Sequence, residues 1–155
     1  MEKGSVEEFI GYFDKNDLEN RFLQIENALT QNKEEKKELV TAMFRTIHSL
    51  KGTTAILKIE LLNKFLHQYE DALGVISKNI NSLVGVKKLE VFDFFLQGLD
   101  LVERVSLALF EDQEMVIKNN KELFNFYIKV IVGARELVMH QDQYFEFVDI
   151  DEDLF

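Results

Sequence analysis

EEKKELVTAMFRTIHSLKGTTAIL, residues 34–57, holds a single period from end to end. Successive helical residues are about 100° apart. With His48 as the zero of angle, Val40, Met43, Ile47, Leu50, Thr54 and Leu57 gather on one side, centred about 130° away. That side is a core face, so the stretch predicts an amphipathic helix and the chain a helical bundle. The rest of the sequence agrees. It contains no Pro, so long helices meet no obligatory breaker and their connections must be made by Gly, Asn and Asp.

Working outward, four further helices are expected. The first covers residues 6–29, with Phe9, Phe13, Phe22, Ile25 and Leu29 at roughly helical spacing, and ends at the polar run Thr30 to Lys33. The third covers 60–79. A loop at 79–88 contains Asn81, Ser82 and Gly85. The fourth covers 89–110, with a stripe of Leu96, Leu99, Val102 and Leu107. The fifth covers 118–140, with Leu123, Phe124, Tyr127, Ile131 and Val138. Short connections stack such helices antiparallel. The expected fold is all-α: an up-down four-helix bundle with an additional fifth helix over 1–140. Residues 141–155 are expected to form an acidic tail or linker, with Asp149, Asp151, Glu152 and Asp153.

Composition narrows the function. The net charge of −10 would repel a phosphate backbone, which argues against nucleic acid and against anionic membrane surfaces. There is no Cys, so thiolate chemistry is excluded. The start, MEKGSVEEF, has no apolar stretch of signal-peptide length, and no window approaches the roughly 18 apolar residues of a membrane helix. The chain reads as cytoplasmic. No Gly-rich phosphate loop is present, so it is not an autonomous kinase. Di-iron bundles need two Glu-x-x-His motifs. Three His and no such motif leave no metal site and no cofactor to expect.

His48 lies well off the core face. Thr41, Phe44, Gly52 and Ala55 fall within about 40° of it, and Lys51 within about 60°. A mid-helix glycine costs about 1 kcal/mol relative to Ala. Gly52 is explained if it clears the approach to the imidazole, and Ala55 extends the clear strip. Lys51 sets a cation one turn away, able to balance an anion held on the ring. Imidazole is nucleophilic near neutral pH, its reference pKa being about 6.5. An exposed imidazole, an adjacent cation and a cleared approach suit phosphoryl transfer through nitrogen.

Such a nitrogen needs its other proton held by an acceptor. On the third helix His67 and Glu70 are spaced i, i+3 and share a face with Asn63 and Gly74. Leu62, Phe65, Leu66, Tyr69, Leu73 and Ile76 lie on the other side. If helices two and three form an antiparallel hairpin, Glu70 is the candidate acceptor from His48 Nδ1–H. Nε2 would then take the phosphoryl group, with His67 as a secondary partner tuning the pair. The spacing does not fix that rotation. His140, four residues after Glu136, reads as a helix-end cation favoured by the dipole, and the phenylalanines read as core.

The run Phe44-Arg45-Thr46-Ile47-His48-Ser49-Leu50-Lys51-Gly52 closely resembles the phosphorylation-site helix of histidine-phosphotransfer domains, whose pattern is F-R-x-x-H-[ST]-[LI]-K-G. The resemblance implies that His48 is the phosphorylated residue. Partner docking is expected around Gly52, Ala55, Phe44 and Arg45. His67 and Glu70, nineteen and twenty-two residues after the site, resemble a pair in the amino-terminal phosphotransfer domain of the chemotaxis histidine kinase CheA. This implies a histidine-kinase ATP-binding domain as donor, in cis or in trans, and a CheY-like response regulator as acceptor. Lys58 departs from the pattern, since the family usually has Gly there, and Thr53 and Thr54 replace the usual small residues. The competing expectation is a non-catalytic adaptor bundle with a vestigial site, for which Lys58 is the only sequence hint.

Overall fold

The computed structural model describes residues 3–82, 88–111 and 114–139. Gly85, His140 and the acidic residues of 141–155 lie outside them. Within them the chain forms α1 (Lys3–Tyr12), α2 (Lys15–Thr30), α3 (Lys36–Ile56), α4 (Glu60–Lys78), a 3₁₀ turn (Ile80–Ser82), α5 (Lys88–Phe110) and α6 (Glu114–Met139). The fold is the expected all-α bundle.

The first expected helix, 6–29, is in fact two. Asp14 leaves helical geometry (φ −101°, ψ 90°) and its side chain accepts from the Asp17 N–H at 3.1 Å. This caps α2 and forces a corner after α1. The corner was hidden because apolar residues on both sides, Phe9 and Phe22, are buried in the same core and keep the spacing looking continuous. Two smaller corrections follow. α6 begins at Glu114 rather than at 118. Leu107, counted in the apolar stripe of the fourth expected helix, is 44% exposed.

α3 packs most extensively on α4, which also lies along α6. α5 packs on α6 and α2, α2 also meets α3, and α1 lies along α5. The core is aromatic. Phe22 stacks on Phe95 at 5.3 Å, Tyr69 meets Phe95 edge-on at 5.0 Å, and Phe65 meets Phe124 at 4.5 Å. Such pairs add about 0.5–1.5 kcal/mol each beyond the area they bury. Tyr69 also donates its hydroxyl to the Phe95 carbonyl at 2.7 Å. α5 comes close enough here that a Cβ on Gly98 would lie 2.8 Å from Tyr69 Cε2, so only glycine fits. Anchoring Tyr69 toward α5 sets the rotation of α4. Glu70, the next residue, is thereby turned toward α3.

The connection between α3 and α4 spans only residues 57–59. Ile59 N–H donates to the Thr54 carbonyl (2.9 Å) and Lys58 N–H to that of Ala55 (3.2 Å). This is a Schellman ending, and it requires left-handed backbone at residue 58. Lys58 adopts it, with φ 59°. α2 ends in the same way, with Lys33 N–H on Ala28 and Asn32 N–H on Leu29, and Asn32 at φ 50°.

Candidate functional site

His48 comes from the middle of α3, on the side away from its buried residues Val40, Met43, Ile47, Leu50 and Thr54. Its side chain is 62% exposed, while that of Glu70 on α4 is only 10% exposed. His48 Nδ1 lies 2.6 Å from Glu70 Oε2. Lys51, one turn further along α3, donates from Nζ to Glu70 Oε1 at 3.1 Å. One buried carboxylate thus receives a donor from each of two neighbouring turns of α3, and each oxygen has its own partner.

The electrostatics follow. Burial pushes the Glu70 carboxyl up, but the hydrogen bonds from His48 and Lys51, with their charges, outweigh it and hold the group below the usual carboxylate range. Glu70 is therefore ionised at neutral pH and serves as an acceptor. With Nδ1–H donating to it, the neutral ring keeps its lone pair at Nε2.

The Phe44 ring lies parallel to the imidazole, with centroids 6.4 Å apart and planes at 12°. Its other neighbour is the bare backbone at Gly74 of α4, where an added Cβ would sit 3.4 Å from Phe44 Cε2. Phe44 is thus half-buried beside the ring. On the opposite flank the helix is open. A Cβ added to Gly52 would meet nothing within 4 Å. Arg45 and Ser49 are exposed there, and Ala55 is exposed two turns beyond His48 on its own line. Ile56, at 81% exposure, ends the same strip.

His67 is not brought to His48. Its Nε2 lies 3.7 Å from Asp71 Oδ2 on its own helix, too far for a good hydrogen bond. Arg135 of α6 approaches the same oxygen at 3.8 Å. The second donor to Glu70 is Lys51.

Sequence reading passed over two residues. Ile56 carries no motif and was counted neither as core nor as surface. Asn63 was seen only as sharing the Glu70 face. Its amide donates to the Lys51 carbonyl at 3.1 Å and to Thr54 Oγ1 at 3.3 Å, while the Thr54 hydroxyl donates to the Lys51 carbonyl at 2.6 Å. The available signal was its position two turns before Glu70 on the same face. Among the described residues no helix is long and apolar enough to cross a membrane.

The chain was also compared with known proteins. The model of the Hpt domain family matches residues 15–114, well over half of the chain and all of the site described above. Neither a curated protein nor a solved structure matches.

Proposed function

The chain belongs to the Hpt domain family, and from that premise we propose that His48 is the residue that carries the phosphoryl group. Hpt domains serve histidine phosphotransfer in two-component signalling, between histidine kinases and response regulators. The single observation that carries the assignment is the 2.6 Å contact of His48 Nδ1 with a buried Glu70 beneath an exposed ring. It leaves Nε2 as the nucleophile.

In the first step Nε2 attacks the γ-phosphorus of ATP held by a kinase ATP-binding domain. The N–P bond forms and the bond to the ADP oxygen breaks. Because Nε2 spends its lone pair while Nδ1 keeps its proton, the ring becomes cationic. The Glu70 carboxylate stabilises that charge, as the third member of a triad does for its histidine. In the second step an aspartate oxygen of the regulator attacks the phosphorus, the N–P bond breaks, and the neutral ring returns. Lys51 balances the Glu70 charge and holds its second oxygen. Arg45, Gly52 and Ala55 form the docking strip, and Ile56 gives it an apolar end. Phe44 supports the ring from the other side.

Within the family, the spacing of His67 and Glu70 favours a chemotaxis-type kinase as donor and a CheY-like regulator as acceptor. We take residues 1–140 as the phosphotransfer unit, 141–155 as a tail or linker, and the cytoplasm as its compartment. The test is labelling by a chemotaxis-type kinase catalytic domain with γ-labelled ATP, comparing wild type with His48→Gln. Acid-labile, alkali-stable label on wild type alone is expected. A folded wild type that no such kinase labels would reject the assignment in favour of an adaptor bundle.

A further inference from the structure

α3 and α4 are joined by two polar cross-links, and both end on Lys51. At one, the Lys51 ammonium and His48 meet Glu70. At the other, Asn63 holds the Lys51 carbonyl and the Thr54 hydroxyl. Thr54 is fully buried and its hydroxyl is already satisfied by the same carbonyl. Asn63 is therefore not needed to rescue an orphaned group. What it adds is direction. Apolar packing tolerates sliding of one helix along another, whereas hydrogen bonds weaken steeply with distance and angle. Asn63 precedes Glu70 by two helical turns, so the two cross-links together fix the axial register of the hairpin. A slip of about 1 Å would open the His48–Glu70 contact, and misplacements of that size can cost up to about a hundredfold in rate.

We propose that Asn63 is a positioning residue for phosphoryl transfer: it clamps the Lys51 turn of α3 to α4 and so holds Glu70 against His48 Nδ1. This rests on the reading of His48 as the phosphoryl carrier. Its role is indirect, since it contacts neither the imidazole nor the carboxylate in this arrangement.

The test uses the full chain with Asn63→Ala and, as control, Asp14→Ala, which removes the cap of α2 at the α1–α2 corner, outside the α3–α4 hairpin. Two quantities are read at a temperature where every variant is folded: the initial labelling rate, and the imidazole ¹⁵N resonances, which report where the ring proton sits. Asn63→Ala is expected to slow labelling roughly tenfold and to shift the ring from a fixed Nδ1–H toward a mixture of tautomers. Asp14→Ala is expected to lower the melting temperature with rate and resonances as in wild type. If Asn63→Ala does not fold, Asn63→Ser, whose short side chain cannot span to α3, takes its place. Wild-type rate and resonances in the Asn63 variant, or equal changes in Asp14→Ala, would overturn the proposal. Ring resonances that respond to Asn63→Ala in a wild-type background that no kinase labels would uphold the clamp and reject the phosphotransfer reading instead.

Discussion

Two neighbouring carboxylates on α4, Glu70 and Asp71, each face a histidine, and the two pairs are unlike. His48–Glu70 spans two helices at 2.6 Å, its carboxylate buried and its second oxygen held by Lys51. His67–Asp71 is an i, i+4 pair along one exposed helix face at 3.7 Å, sharing its oxygen with Arg135. Exposed pairs of the second kind are worth about 0.2–1 kcal/mol and less in salt, because water competes and both side chains lose rotamer freedom. The first pair is held by the packing of the hairpin, so its geometry is fixed before any substrate arrives. Placing a histidine beside an acid is therefore not enough. The acid must be fixed by a second element and shielded from water.

The largest expected contrast is in labelling itself. His48→Gln should abolish phosphorylation, whereas His67→Gln should change its rate by less than about threefold, since its partner Asp71 lies outside the site. Loss of label in both would mean that the two histidines act as one unit. Next comes the carboxylate. Glu70→Gln should slow labelling by roughly 10- to 100-fold, the usual effect of removing a group that orients a reacting imidazole. Asp71→Asn, assayed in parallel, should stay within about twofold.

A smaller effect concerns acid. The Glu70 carboxyl is lowered in the folded state. It therefore contributes stability that is fully present above the ordinary carboxylate range and is lost as pH falls through its lowered folded value. Urea midpoints followed from pH 7 downward should decline less steeply in Glu70→Gln than in wild type below about pH 4.5, once differences at neutral pH are subtracted. An identical slope would mean that Glu70 is not ionised against its two donors. The smallest effect tests the hairpin that carries the pair. Lys58→Gly removes the penalty of left-handed backbone on a residue with a Cβ and should raise stability by about 1 kcal/mol, visible as a higher melting temperature with unchanged labelling. A drop in labelling would mean that the lysine side chain itself serves the site.

That last residue shows how much was legible. The departure of Lys58 from the family's usual Gly is visible in the sequence, but the reason for that glycine is a backbone angle, which letters do not carry. Once the Schellman ending is seen, Lys58 is a strained helix end, and the one hint of a vestigial site loses its force. The core face of α3 was legible because a 3.6 period over more than five turns admits one solution. The meeting of His48 with Glu70 was legible only conditionally, as the rotation of α4 depends on Tyr69 packing against Gly98, a contact between residues far apart in the chain. Asn63 stayed obscure because its partners are a carbonyl, which every residue has, and a threonine that the pattern had assigned to the core. The corner at Asp14 was not legible, although Asp is among the residues expected to make connections, because the apolar spacing runs on through it.

Glu70 has both oxygens engaged, one by His48 and the other by Lys51. It faces the Nδ1 edge of the imidazole, across the ring from Nε2, and is poorly placed to take a proton from water there. A phosphoryl group on Nε2 would thus sit beside an acid that steadies the ring and cannot readily drive its hydrolysis. If His48 carries the phosphoryl group as proposed, the same arrangement would also set a lifetime: the group would wait on the ring until an acceptor brought its own carboxylate.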